Sequence, residues 1–124
     1  MKVKCVSAWF DGVRFAVEEE VEYTVLGIEV STRHKFAQGQ PLFWVAREWS
    51  PAQVPCACFV LISAVIPAAW QVRNTSDATA IVGYSWLWDE KFQVELEDDQ
   101  REALLGYQDL VRAAGIAVRS EKAR

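Results

Sequence analysis

Three cysteines, one histidine and two acidic runs are the groups best placed to do chemistry in this chain of 124 residues. Cys56 and Cys58 stand either side of Ala57, and His34 lies elsewhere in the chain. Thiolate and imidazole are zinc ligands, but one Cys-x-Cys with one distant histidine does not make a zinc ligand set. The surrounding run, Cys56-Ala57-Cys58-Phe59-Val60-Leu61-Ile62, is uncharged, so thiols packed as small apolar groups are the plainer reading. An odd cysteine count gives no disulfide framework, and neighbours this close rarely bridge well. The expectation is no metal, no disulfide and no cofactor.

His34 stands between Arg33 and Lys35 in a polar loop. It could act as a general base, but a solvated loop histidine is the simpler reading. Glu95, Glu97, Asp98 and Asp99 offer oxygen ligands for a hard cation. Their spacing is not that of a calcium loop, and acids at a helix start complement the helix dipole. The sequence has no Gly-rich phosphate loop, nucleophile elbow or His-Glu-x-x-His motif, so a non-enzyme is expected.

Glu18, Glu19, Glu20 and Glu22 form the sharpest charge cluster of the first half. They read either as a solvated hairpin edge or as a patch that steers a basic partner. Among the six tryptophans, Trp49 lies in a loop after Arg47-Glu48 and is the candidate for exposure as an interface anchor, although core is the plainer reading for any single one. The others are expected in the core.

The formal net charge of −4 argues against nucleic acid, whose phosphates call for clustered Lys and Arg. The only membrane candidate, residues 54–70, falls short of the roughly 20 residues needed to span and is broken by Pro55 and Pro67. With no signal-like N-terminus, a cytoplasmic protein is expected. Neither nucleic acid nor membrane is an expected partner.

These groups need elements to hold them. Residues 2–10 read as a first strand, Asp11-Gly12 as a hairpin turn, and 13–17 and 21–25 as alternating strands. The apolar phase flips at Leu26-Gly27-Ile28, which implies a bulge or a close backbone approach at Gly27. Residues 31–41 read as a polar loop, 42–46 as a strand, 48–55 as a surface loop and 57–63 as the central strand. The stretch Val54–Trp88, with Arg73 and Asp77 its only charged residues, is expected to supply the centre of the core. Within it, Pro67–Trp70 reads as a structural turn that packs Trp70 beside Phe59 and Leu61. Asn74 to Asp77 reads as a turn and 79–84 as a strand. If that strand continues, Trp86 and Trp88 share a face; residues 88–97 fit either strand or helix.

Ala103, Leu104, Tyr107, Leu110, Val111 and Ala114 repeat at helical spacing, with Asp98 or Asp99 as cap and Gly115 as stop. Arg101, Glu102, Gln108, Asp109 and Arg112 face water. The fold class is therefore α+β: a twisted antiparallel sheet of five or six strands, able to curl toward a half-barrel, with a C-terminal helix packed on it. Residues 1–118 make a single domain and 119–124 a frayed tail.

Several of these segments together resemble small bacterial immunity proteins of polymorphic toxin and contact-dependent growth inhibition systems. The resembling pieces are Glu22-Tyr23-Thr24-Val25-Leu26-Gly27-Ile28, then Phe59-Val60-Leu61-Ile62, then Ile66-Pro67-Ala68-Ala69-Trp70. Tyr84-Ser85-Trp86, Trp88-Asp89-Glu90-Lys91-Phe92 and the helix over 99–114 follow in the same order. The resemblance implies a non-enzymatic inhibitor that binds one cognate toxin domain, such as a basic nuclease, in the cytoplasm of the producing cell. Glu18, Glu19, Glu20, Glu22, Trp49, Glu95, Glu97, Asp98 and Asp99 are the expected toxin-binding residues. The rival reading is a non-catalytic small-ligand-binding or accessory-subunit domain, with a curled sheet around an apolar pocket.

Overall fold

The chain assembles on one long strand, β4 (Glu22–Ser31). The computed structural model describes residues 1–31, 40–74 and 79–118, with the side chains of Ser31, Trp88 and Glu90 set aside. His34 and its loop, the Thr75-Ser76-Asp77 turn and the 119–124 tail lie outside the described residues. Strands β1 (Lys2–Cys5), β4, β5 (Leu42–Val45), β6 (Ala52–Pro55), β7 (Phe59–Ser63), β8 (Gln71–Asn74) and β9 (Thr79–Gly83) form one antiparallel sheet of seven strands. A separate hairpin joins β2 (Trp9–Phe10) to β3 (Val13–Arg14). Asp11 (φ 50°) and Gly12 (φ 76°) turn it, both in the left-handed region that a two-residue hairpin requires. Helices α1 (Glu90–Glu97) and α2 (Arg101–Ala113) end the fold. The class is thus α+β, with the terminal helices packed on a sheet that does not close into a barrel.

Phase reversal at Leu26 is the structural key. The Val25 N–H donates to the Met1 carbonyl, and the Tyr84 N–H donates to the Leu26 carbonyl. Two consecutive residues therefore present backbone groups to the same edge of β4, which is a bulge. Opposite, the β5 register shifts between Val25 and Gly27. Before the bulge, that edge of β4 pairs with β1 (Tyr23↔Val3); after it, the edge pairs with β9 (Gly27↔Gly83 through Ser31↔Thr79). The sheet forks there. The stem is β4–β5–β6, one arm is β1–β7 and the other is β9–β8.

Gly27 and Gly83 face each other at the fork. A Cβ on Gly83 would lie 2.5 Å from the Gly27 Cα and from the Leu26 carbonyl oxygen. The expected close approach at Gly27 is present, and it takes two glycines to make it.

Two cores result. Val25, Val3, Cys5, Val45, Val54, Cys58, Phe59 and Trp70 gather in one. Leu26, Ala46, Leu87, Leu96, Ala103, Tyr107 and Val111 gather in the other, under the helices. The bulge lets neighbours Val25 and Leu26 each enter a different core. Helix α2 buries Ala103, Tyr107 and Val111, one turn apart. The Tyr107 hydroxyl donates to the Arg47 carbonyl (2.7 Å) and accepts from the Arg47 N–H (3.1 Å), which docks the helix onto the chain after β5. The Gly115 N–H donates to the Arg112 carbonyl and the Ile116 N–H to the Val111 carbonyl. With Gly115 at φ 73°, this is a Schellman ending at the glycine read as the stop.

Several expectations are corrected. Residues 52–55 are strand β6 with Ala52 and Val54 buried, rather than surface loop. Cys56–Cys58 form a turn of 3₁₀ helix, not the start of a strand. The stretch Val54–Trp88 does not sit wholly in the core: β7 lies at a sheet edge, and Val60, Leu61 and Ile62 are exposed. Trp70 is buried in the same core as Phe59, with its backbone N–H donating to the Pro67 carbonyl, but Leu61 is outside that contact. Ser85–Trp88 is a 3₁₀ turn, so Trp86 and Trp88 are not strand partners. Asp98 closes α1, Asp99 turns the chain at φ 54°, and Gln100 rather than either aspartate sits at the start of α2.

Candidate functional site

The two helices leave an open groove of about 670 Å³ between them. Asp89 opens α1: its carboxylate accepts from the Phe92 N–H at 3.1 Å, satisfying a donor that the first helical turn leaves free. The Gln93 side chain donates to the Leu87 carbonyl and ties α1 to the preceding turn. Phe92 then points toward α2 at Gly106, where an added Cβ would sit 4.0 Å from the Phe92 ring. The missing side chain at Gly106 leaves room for the Phe92 ring in the groove.

The groove wall is apolar: Trp86, Phe92, Leu110 and Ala113. Trp86 is held edge-on against Phe92 (6.1 Å between centroids) and Tyr107 (5.9 Å), and stacks on Tyr84 (6.0 Å). Tyr84 in turn meets Trp70 edge-on, so an aromatic chain runs from the groove to the sheet core. The rim carries Asp89, Glu95 and Asp109 against one lysine, Lys91. Lys91 reaches Glu95 at only 4.0 Å, and Arg112 approaches Asp109 at 3.5 Å, both as exposed pairs that water screens. The groove suits a partner segment with an apolar anchor and basic flanks.

A smaller cleft of about 330 Å³ lies where α1 meets β5 and β6. Ser50, Gln53, Gln93 and Glu97 make much of its wall, beside Trp44 and Leu96. Near it Glu29 is buried, accepting from Trp44 Nε1 (3.3 Å) and Gln53 Nε2 (3.1 Å).

All three cysteines are free. Burial pushes the Cys58 thiol up to about 11, with Cys5 and Cys56 adding to the shift, and burial also raises Cys5 and Cys56. A thiol held protonated is a poor nucleophile. The Cys56 thiol donates to Gln40 Oε1 instead. No cluster of three or more metal-ligating side chains occurs among the described residues.

The expected toxin-binding residues fall on separate elements. Glu95 lines the groove and Glu97 the smaller cleft, while Asp98 and Asp99 are exposed at the turn between the helices. Glu18, Glu19, Glu20 and Glu22 are exposed before and at the start of β4. Lys4 offsets part of their charge: its ammonium lies 2.9 Å from Glu20 and it pairs in register with Glu22. The hydrogen bond to Glu20, then the Coulombic attraction of that carboxylate, raises the Lys4 pKa. Trp49 is half-buried with its Nε1 enclosed; among the described tryptophan side chains Trp9, at 56% exposure, is the one at the surface. Asp89, Asp109, Trp86, Phe92 and Leu110 line the groove without having been expected as site residues. A signal for part of the groove exists in α2, where Gly106, Asp109, Leu110 and Ala113 share one helical face.

Compared with family models, curated proteins and solved structures, the chain matches none. No helix among the described residues is long and apolar enough to cross a membrane.

Proposed function

We propose that the chain is an immunity protein: it binds one cognate toxin domain and neutralises it in the cytoplasm of the producing cell, without catalysis of its own. The observation that carries the binding half of this reading is the α1–α2 groove, whose aromatic wall and acidic rim match a basic protein segment with an apolar anchor. The neutralising half rests on the order of the Glu22–Ile28, Phe59–Ile62 and Ile66–Trp70 segments, which resembles that of immunity proteins. A basic nuclease domain fits the rim charge best. The groove's open form favours a protein segment over a small ligand, since small-ligand sites enclose most of their occupant. The test is co-expression in a bacterial host with the toxin domain encoded beside this chain's gene. The reading expects growth to be restored and a stable complex to be recovered. Restored growth without a complex, or no restoration, would return the question to the ligand-binding alternative.

A further inference from the structure

Strand β7 lies at an edge of the sheet and pairs with β1 alone among the described strands. The Val6 N–H donates to the Cys58 carbonyl, and Lys4 faces Val60 two residues on. Backbone groups alternate along a strand, so those of Val60 turn toward β1 and those of Leu61 turn outward. The ladder's irregularity, between Lys2 and Val3, comes after Leu61.

Natural edges are blunted by lysines, prolines or inward charges. Phe59–Ser63 carries none of these, and no charged residue occurs anywhere from Trp49 to Val72. Instead Val60 (46%), Leu61 (56%) and Ile62 (50%) are exposed, and the apolar surface continues through Val65 (75%) and Ile66 (55%).

We propose that this edge is taken by a second copy of the chain, β7 against β7 in antiparallel fashion, joining two sheets across a twofold axis. Charge selects this occupant. The chain is acidic overall, yet its acids lie off this strand, so the two β7 strands themselves bring no charges together; the nearest charges are Lys2 opposite Ser63, Lys4 opposite Val60 and the Met1 ammonium on the Val65 carbonyl, all to the β1 side of the strand. A basic partner finds no counter-charge on β7. The pattern is also self-complementary, because three consecutive apolar residues place apolar side chains on both faces of the joined sheet in any antiparallel register centred near Leu61. The interface goes beyond the toxin-binding groove and uses different residues.

Sedimentation equilibrium of the purified chain across a concentration series tests it, with amide hydrogen exchange at Leu61 as the site-specific readout. The expected result is a concentration-dependent dimer, with Leu61 exchange slowing as the dimer fills. Leu61→Lys should give a monomer of unchanged circular dichroism, while Val72→Lys, at a still more exposed position on the other arm, should leave the dimer intact. A wild-type monomer at every concentration, a dimer that Leu61→Lys does not weaken, or Leu61 protection that arises only when the toxin domain is added would overturn the proposal.

Discussion

Gly83 and Gly27 show how much a single missing Cβ decides. At Gly83 the added atom would meet backbone, the Gly27 Cα and the Leu26 carbonyl, each at 2.5 Å. At Gly27 its nearest contact is the end of the Leu87 side chain at 2.6 Å, which can rotate away, with the Val82 carbonyl at 3.1 Å. Gly83→Ala should therefore destabilise by about 3 kcal/mol or more, and Gly27→Ala by about 1–2 kcal/mol, in urea titrations. Equal losses would contradict the account of the fork. Gly27 was legible in the sequence because the apolar phase flips there. Gly83 was not, because its role depends on which strand lies opposite. Cys58 offers a second test at this scale. Its thiol is raised from 9.0 to about 11 in the folded chain, so above pH 9 the unfolded state loses this proton first. The contribution to stability is whole below pH 9 and is lost as pH rises through 11. Urea midpoints measured from pH 8 to 11 should fall, and Cys58→Ala should flatten the fall; an identical slope in the variant would remove Cys58 as its cause.

Helix α2 was legible because its apolar repeat is long and its stop is a glycine. Helix α1 was ambiguous for a physical reason. Phe92, Val94 and Leu96 alternate like a strand, yet in a helix the first and last share a face, and here Leu96 is buried while Val94 is 54% exposed. Three residues cannot separate the two periods. Strand β7 was misplaced because lack of charge marks a surface made for another strand as readily as one made for the core. Gly106 belongs to this scale, since it sits inside α2 with a helical backbone and room for a Cβ in ordinary contact with Phe92. Gly106→Ala should stabilise the chain by about 0.5–1 kcal/mol, read as a higher thermal midpoint, because alanine restricts the unfolded chain and favours helix. A lower midpoint would mean that the groove needs the glycine for packing and not only for width.

For the whole molecule, the α+β class followed from strands first and helices last, whereas the fork did not. Two strands sharing one edge of β4 depends on pairings between residues far apart in sequence, which alternation does not encode. The same limit hid the groove. Glu95 was singled out as part of an acidic run, but its company with Asp89, Asp109, Trp86 and Phe92 arises only when α1 meets α2. The acidic residues before β4 are partly offset by Lys4, which shifts the proposed toxin contact toward the helices. The most direct test is calorimetric titration of the neighbouring gene's toxin domain into the wild-type chain and into Gly106→Leu. The leucine fits the helix and fills the groove. The account predicts saturable binding to the wild type and an affinity weaker by about tenfold or more, some 1.4 kcal/mol, for a Gly106→Leu chain that keeps its helical signal. No binding to the wild type, or the same affinity for both chains, would contradict it.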